Sequence, residues 1–256
     1  MWYDRGRNTK GDPALAPSNY HTHTRYCDGR DTPEELILEA IRLGCPAIGF
    51  TGHSYTPFDL SYCMSLENTE RYNEEIPRLK EKYKGKINVL FGVEQDFFSP
   101  MPTDRYDYVI GAVHYVEKDG RYLSVDASRE EQIADVEKYY GGDFYAYCAD
   151  YYRLVARIYE KTKCDIVAHF DLVTKFNEDG DLFNTADPRY IKAADGAIEK
   201  LLPCPVTFEI NYGAMARGIR KTPYPEPRIL DTLTRNGAKI IKTSDCHDKR
   251  FLLFGL

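Results

Sequence analysis

Short apolar runs alternate with longer stretches of helical periodicity along most of the chain, the mark of an α/β fold. The runs at residues 45–51 (CPAIGFT), 87–94 (INVLFGVE), 108–114 (YVIGAVH), 164–169 (CDIVAH), 205–210 (PVTFEI) and 239–243 (KIIKT) read as strands, and a weaker one precedes His21. They are rich in Val, Ile and Phe without clean alternation, as in strands buried on both faces of a parallel sheet. Helix starts are well marked. Thr32-Pro33-Glu34-Glu35 supplies an N-cap, a proline at the first helical position and the reciprocal Glu of a capping box. Leu36, Ala40 and Leu43 follow at helical spacing, and Gly44 closes the helix. Ser128-Arg129-Glu130-Glu131 and Asp187-Pro188 start two more, and residues 145–163 read as one longer helix. Seven strands with intervening helices predict a single (β/α) barrel domain over residues 18–256, preceded by a loose polar arm at residues 1–17. An open doubly wound sheet is the structural alternative.

Composition narrows the function classes. At 256 residues, 43% hydrophobic and 29% charged, the chain is an ordinary globular protein. The net charge of −6, from 34 basic and 40 acidic residues, argues against bulk nucleic-acid binding, which draws on a basic surplus. No apolar run approaches a bilayer span, and the polar N-terminus lacks a secretory signal. Seven cysteines, an odd number without a CxxC pair, argue against a disulfide framework and for a reducing, cytoplasmic setting.

The six histidines, His21, His23, His53, His114, His169 and His247, each fall at or just beyond the C-terminal end of a strand candidate. Carboxylates join them at Asp28, Glu94, Asp96, Asp171 and Asp245. In a parallel barrel those ends converge on one rim, and imidazole with carboxylate is the ligand chemistry of Zn, Mn and Fe. A multinuclear metal centre follows. Cys27 and Cys246 flank ligand candidates and read better as buried fillers than as soft ligands.

Read in order, Tyr20-His21-Thr22-His23-Thr24 with Cys27-Asp28-Gly29, Gly49-Phe50-Thr51-Gly52-His53, Gly92-Val93-Glu94-Gln95-Asp96, Ile110-Gly111-Ala112-Val113-His114, Ala168-His169-Phe170-Asp171, Glu209-Ile210-Asn211 and Thr243-Ser244-Asp245-Cys246-His247 form a set. That set resembles the PHP (polymerase and histidinol phosphatase) superfamily, and within it the histidinol-phosphatase branch. The resemblance implies a distorted (β/α)7 TIM-like barrel and three divalent transition metals, Zn, Mn or Fe. By position, one metal takes His21, His23, Glu94 and Asp245. A second takes Asp28, His53 and His247. The third takes Glu94, His114 and His169, with Glu94 bridging. Many superfamily members carry a histidine where Asp28 stands, and the Asp form is similar to the histidinol-phosphatase variant. Relatives continue into a closing helix where this chain ends nine residues after His247, which predicts weaker support for the last ligands.

The implied activity is hydrolysis of a small phosphomonoester, L-histidinol phosphate in histidine biosynthesis, by attack of a metal-bound hydroxide. Arg217, then Arg220, then Lys175 are the candidates for gripping phosphate. Asp28, Asp171, Asp248 and a metal-bound water are the candidate proton donors to the leaving alkoxide. Two other readings compete. One keeps the site and changes the ester to a nucleotide, a sugar phosphate or a DNA 3′ end; the other is a catalytically silent metal-binding scaffold.

Overall fold

The computed structural model describes residues 16–256; most of the polar arm expected at residues 1–17 lies outside the described residues. Among the described residues eight strands and eight α-helices follow one another. β1 (Ala47–Phe50), β2 (Asn88–Asp96), β3 (Tyr108–Ala112), β6 (Ile166–Val167), β7 (Thr207–Asn211) and β8 (Lys239–Thr243) form one parallel sheet in the order β1-β2-β3-β6-β7-β8. Strand order never reverses, so the doubly wound alternative, which turns back at a switch point, does not apply. The sheet curls into a half-barrel. The segment carrying His21 touches both of its ends: Asn19 bridges in parallel to Ile48 on β1, and Thr22 bridges in parallel to Cys246 beyond β8.

The helices form where their caps predict. α1 (Pro33–Arg42) carries the complete Thr32/Glu35 capping box and buries Leu36, Ile37 and Ala40. α3 (Arg129–Tyr140) starts at Ser128 and α6 (Pro188–Leu201) at Asp187, as expected. Three helices outside the sequence expectations are α2 (Leu66–Lys82), the single turn α7 (Gly213–Ala216) and α8 (Pro227–Arg235). α2 places only Thr69, Tyr72, Ile76 and Leu79 inward, a narrow stripe in a strongly polar segment. The helix expected at residues 145–163 is two helices, α4 (Phe144–Val155) and α5 (Ile158–Thr162). The break sets buried Ile158 against Gly111 of β3, where any added Cβ would lie 2.8 Å from Ile158 Cγ1. A hairpin, β4 (Tyr115–Lys118) with β5 (Arg121–Ser124), follows His114 and was not foreseen.

One apolar core lies between the sheet and α4, α6 and α8; another lies between α1, α2 and β1–β2. The chain end is well supported: Leu252 is buried in the second core, and Ser244 Oγ donates to its carbonyl at 2.9 Å. The expected weakness of the last ligand segment is therefore not found. Among the described residues the seven cysteines are free, and no helix is long and apolar enough to cross a membrane.

Candidate metal centre

All six histidines meet at the C-terminal rim of the sheet: four follow the ends of β1, β3, β6 and β8, and His21 and His23 lie on the segment bridged to both ends of the sheet. His21 and His23 lie two apart on the first segment, so both rings face the same side. His53 follows β1 and bridges in parallel to Glu94 of β2. His114, His169 and His247 follow β3, β6 and β8. Residues separated by more than two hundred positions thus share one pocket.

Glu94 is its centre and is 1% exposed. Its Oε2 lies 3.3 Å from His21 Nε2, 3.5 Å from His23 Nε2 and 2.8 Å from His53 Nδ1. Its Oε1 lies 3.0 Å from His169 Nε2 and 3.6 Å from His114 Nε2. The two oxygens therefore face two different sets of imidazoles, the arrangement of a bridging carboxylate. Asp245 Oδ1 lies 3.1 Å from His23 Nε2 and 3.6 Å from His21 Nε2. Asp28 closes the open side, with Oδ1 3.7 Å from His53 Nε2 and Oδ2 3.2 Å from His247 Nε2. Three groupings have metal-binding spacing: His23, Asp28, His53 and His247; His21, His23 and Glu94; His53, Glu94 and His114. His23 and His53 each stand between two of them.

The donor set fits cations. His21 Nε2, His23 Nε2 and Glu94 Oε2 are buried without a hydrogen-bond partner among the described residues. A buried polar atom left unpaired costs free energy, and three such atoms aimed at one another ask for a positive ion. The electrostatics agree. Burial opposes charge on Glu94, yet His53 and His21 hold its carboxyl well below the usual range. Burial likewise opposes charge on His21, but Glu209, Glu94 and Asp245 raise it well above an ordinary imidazole. His23 goes the other way, down to about 3, through burial and the neighbouring His247 and His53.

Two carboxylates stand behind the cluster: Asp96, expected among the rim carboxylates, and Glu209, to which the sequence alone assigns no role. Glu209 of β7 accepts from His21 Nδ1 at 2.6 Å and from Thr243 Oγ1 on one oxygen. Its other oxygen accepts from His169 N and Asn211 Nδ2, both at 2.9 Å. Asp96 Oδ2 lies 3.1 Å from His114 Nδ1 and also accepts from the His114 amide at 3.3 Å. A carboxylate on one ring nitrogen fixes the tautomer and leaves the other nitrogen free to ligate. Both residues were visible in the quoted motifs, but only the fold shows which ring each holds.

Asp245 has φ +47°, a left-handed conformation that costs a non-glycine residue about 1–2 kcal/mol. Gly213 makes room for it: a Cβ there would lie 2.7 Å from both Cβ and Cγ of Asp245. Cys246 is buried and Cys27 half-buried, and burial pushes both thiols up to about 12.

The three phosphate candidates separate. Arg217 lines the cavity, with Nη1 2.9 Å from His247 Nδ1 and Nη2 3.6 Å from Asp245 Oδ2. Arg220 does not line it. Its guanidinium donates to Thr174 O at 2.8 Å, Thr174 Oγ1 at 2.9 Å and Thr222 Oγ1 at 3.2 Å, and lies over the Tyr224 ring. Those bonds occupy it structurally, which corrects the expectation that it faces phosphate. Lys175 lines the cavity but donates to Asp126. Among the candidate acids, Asp171 is fully buried behind the site, where its Oδ2 accepts from Glu226 N at 2.8 Å, and it does not line the cavity. Asp248 is paired with Arg30 and Arg250.

Residues 19–211 match the PHP domain family. The chain is 28% identical over 240 residues to a protein of Deinococcus radiodurans named "Probable histidinol-phosphatase", covering 89% of this chain and 85% of that one. A protein of the same name from Schizosaccharomyces pombe is 27% identical, with coverages of 90% and 80%. Among solved structures, the HisK histidinol phosphatase candidate of Listeria monocytogenes superimposes with a TM-score of 0.77 at 19% identity, covering 93% of this chain and 98% of that one. Histidinol phosphate phosphatase from Lactococcus lactis, solved with zinc, L-histidinol and phosphate, gives 0.67 at 22% identity, covering 92% and 88%. The match over residues 19–211, most of the chain, makes this chain a member of the PHP domain family.

Proposed function

We propose that the protein is a metal-dependent phosphomonoesterase that hydrolyses L-histidinol phosphate to L-histidinol and phosphate, a step of histidine biosynthesis. The observation that carries this reading is the meeting of eight imidazole and carboxylate side chains around Glu94, seven of the nine groups lining a cavity of about 570 Å3. The names of the two relatives and the bound ligands of the Lactococcus protein support the choice of ester. Residues 19–23, bridged to both ends of the sheet, take the place of a seventh strand. Free thiols support a cytoplasmic setting.

Up to three divalent cations, Zn, Mn or Fe, are held by His21, His23, Glu94 and Asp245, by Asp28, His53 and His247, and by Glu94, His114 and His169. When bound, such cations supply Lewis acidity toward water and toward phosphoryl oxygens. The rest is done by the chain. Glu209 and Asp96 keep protons on His21 Nδ1 and His114 Nδ1, so that each Nε2 presents a lone pair. Arg217, at the cavity wall, offers two parallel N–H donors to the phosphoryl group. The deep placement of Glu94 and His21 keeps bulk water from the ligand atoms.

Phosphate release tests this. Protein loaded with zinc or manganese is assayed on L-histidinol phosphate, p-nitrophenyl phosphate and nucleoside monophosphates, before and after chelation. The expected result is the highest kcat/KM on L-histidinol phosphate, abolished by the chelator. Faster turnover of a nucleotide would move the substrate assignment. Silence on every ester with metals bound would leave a scaffold.

A further inference from the structure

Besides the candidate metal ligands, the cavity is lined by Asp59, Tyr62, Tyr115, Asp126 and Lys175. A substrate with a phosphate at one end leaves its remaining groups against this wall. L-Histidinol phosphate carries an ammonium on the carbon next to the ester methylene, and an ammonium taken from water needs an acceptor.

The lining carboxylates can be sorted by what already occupies them. Asp28, Glu94 and Asp245 belong to the metal centre. Asp248 is taken by Arg30 and Arg250. Asp59 accepts from Ser61 N at 2.9 Å and Ser61 Oγ at 2.6 Å on one oxygen, and from Tyr115 OH at 2.6 Å on the other. Asp126 is different. Lys175 Nζ donates to its Oδ2 at 3.1 Å and to its own carbonyl at 2.8 Å, which fixes the residue in place. Among the described residues its Oδ1 meets only the Ser124 hydroxyl, at 3.4 Å, so one carboxylate oxygen keeps most of its acceptor capacity. The side chain is 28% exposed and faces the cavity.

Resting on the phosphatase reading above, we propose that Asp126, anchored by Lys175, receives the ammonium of the substrate and makes the cavity selective for phosphate esters of vicinal amino alcohols. Burial opposes ionisation of Asp126, but Lys175 and His114 hold its carboxyl below the ordinary range, so it is ionised at neutral pH. His114 and His169 line the same cavity as Asp126. The lysine expected to grip phosphate acts here as the anchor of this carboxylate.

The test compares L-histidinol phosphate with its des-amino analogue, 3-(imidazol-4-yl)propyl phosphate, on the wild type, D126N and D126E. Wild-type enzyme is expected to prefer the amine-bearing ester by at least tenfold in kcat/KM. D126N is expected to cut that ratio at least tenfold, chiefly through KM, and D126E to restore part of it. Metal content and Tm, measured on each variant, show whether the fold and the centre persist. A ratio unchanged in D126N, or an equal fall on both esters, overturns the assignment. Silence of the metal-loaded wild type on both esters removes the phosphatase reading itself.

Discussion

Replacing Glu209 by Gln is the sharpest probe of how the chain prepares its metal centre. Four donors converge on this buried carboxylate: His21 Nδ1, Thr243 Oγ1, His169 N and Asn211 Nδ2. The amide of E209Q must turn its nitrogen toward one pair or the other. Toward His169 N and Asn211 Nδ2 it would meet two fixed donors, since Asn211 Oδ1 is already committed to Gly213 N at 2.9 Å. Toward Thr243 and His21 the clash is escapable: the hydroxyl rotates to accept, and the proton of His21 moves from Nδ1 to Nε2. That move takes the lone pair away from the metal centre. A charge-assisted hydrogen bond exceeds a neutral one by about 1 kcal/mol, so four of them put the loss of fold stability near ~4 kcal/mol at most. Loss of an outer carboxylate costs about 10–100-fold in metal affinity. Thermal unfolding of the metal-free protein reads the first quantity, and zinc competition with a chromophoric chelator reads the second. E209Q protein with wild-type Tm and wild-type zinc affinity would refute the argument that Glu209 sets the tautomer of His21.

Other outcomes follow from the same geometry. R217A is expected to raise KM for phosphate esters about tenfold or more with little change in Tm, whereas R220A, which strips bonds from Thr174 and Thr222, lowers Tm with a smaller change in KM; kinetics paired with melting curves separate the two. G213A forces a methyl group against Asp245, so metal content by elemental analysis falls while the α-helical signal in circular dichroism stays close to wild type. Chelation is expected to lower Tm as well as abolish phosphate release, because cations bound only by the folded state stabilise it by mass action, and re-adding zinc restores both. H114A empties a buried position between Asp96 and Glu94, and its Tm is expected to fall by several degrees.

Much of this protein is written locally. Thr32 and Glu35 cap a helix because their side chains reach backbone only three residues away, and the periodicity of Leu36 and Ala40 shows which face is buried. The strand-end positions of the six histidines are equally local, and a parallel sheet turns them into one rim with no further information. What sequence distance hides is pairing. Glu209 and Asp96 look like any acidic residues near strand ends until His21 and His114 are set beside them in space. Arg217 and Arg220 stand three apart in one basic loop, and nothing local says that one turns to the cavity while the other is taken up by Thr174, forty-six positions earlier. The division at residues 156–157, between α4 and α5, has no proline or glycine to announce it, and the contact of Ile158 with Gly111 exists only once β3 is in place. Sequence by itself determined the strands of the parallel sheet, the well-capped helices and which chemical groups arrive at the rim, because those depend on neighbours along the chain. Only the tertiary structure decided which group holds, screens or frees another, because hydrogen bonds and charge pairs act over a few ångströms of space whatever the separation in sequence.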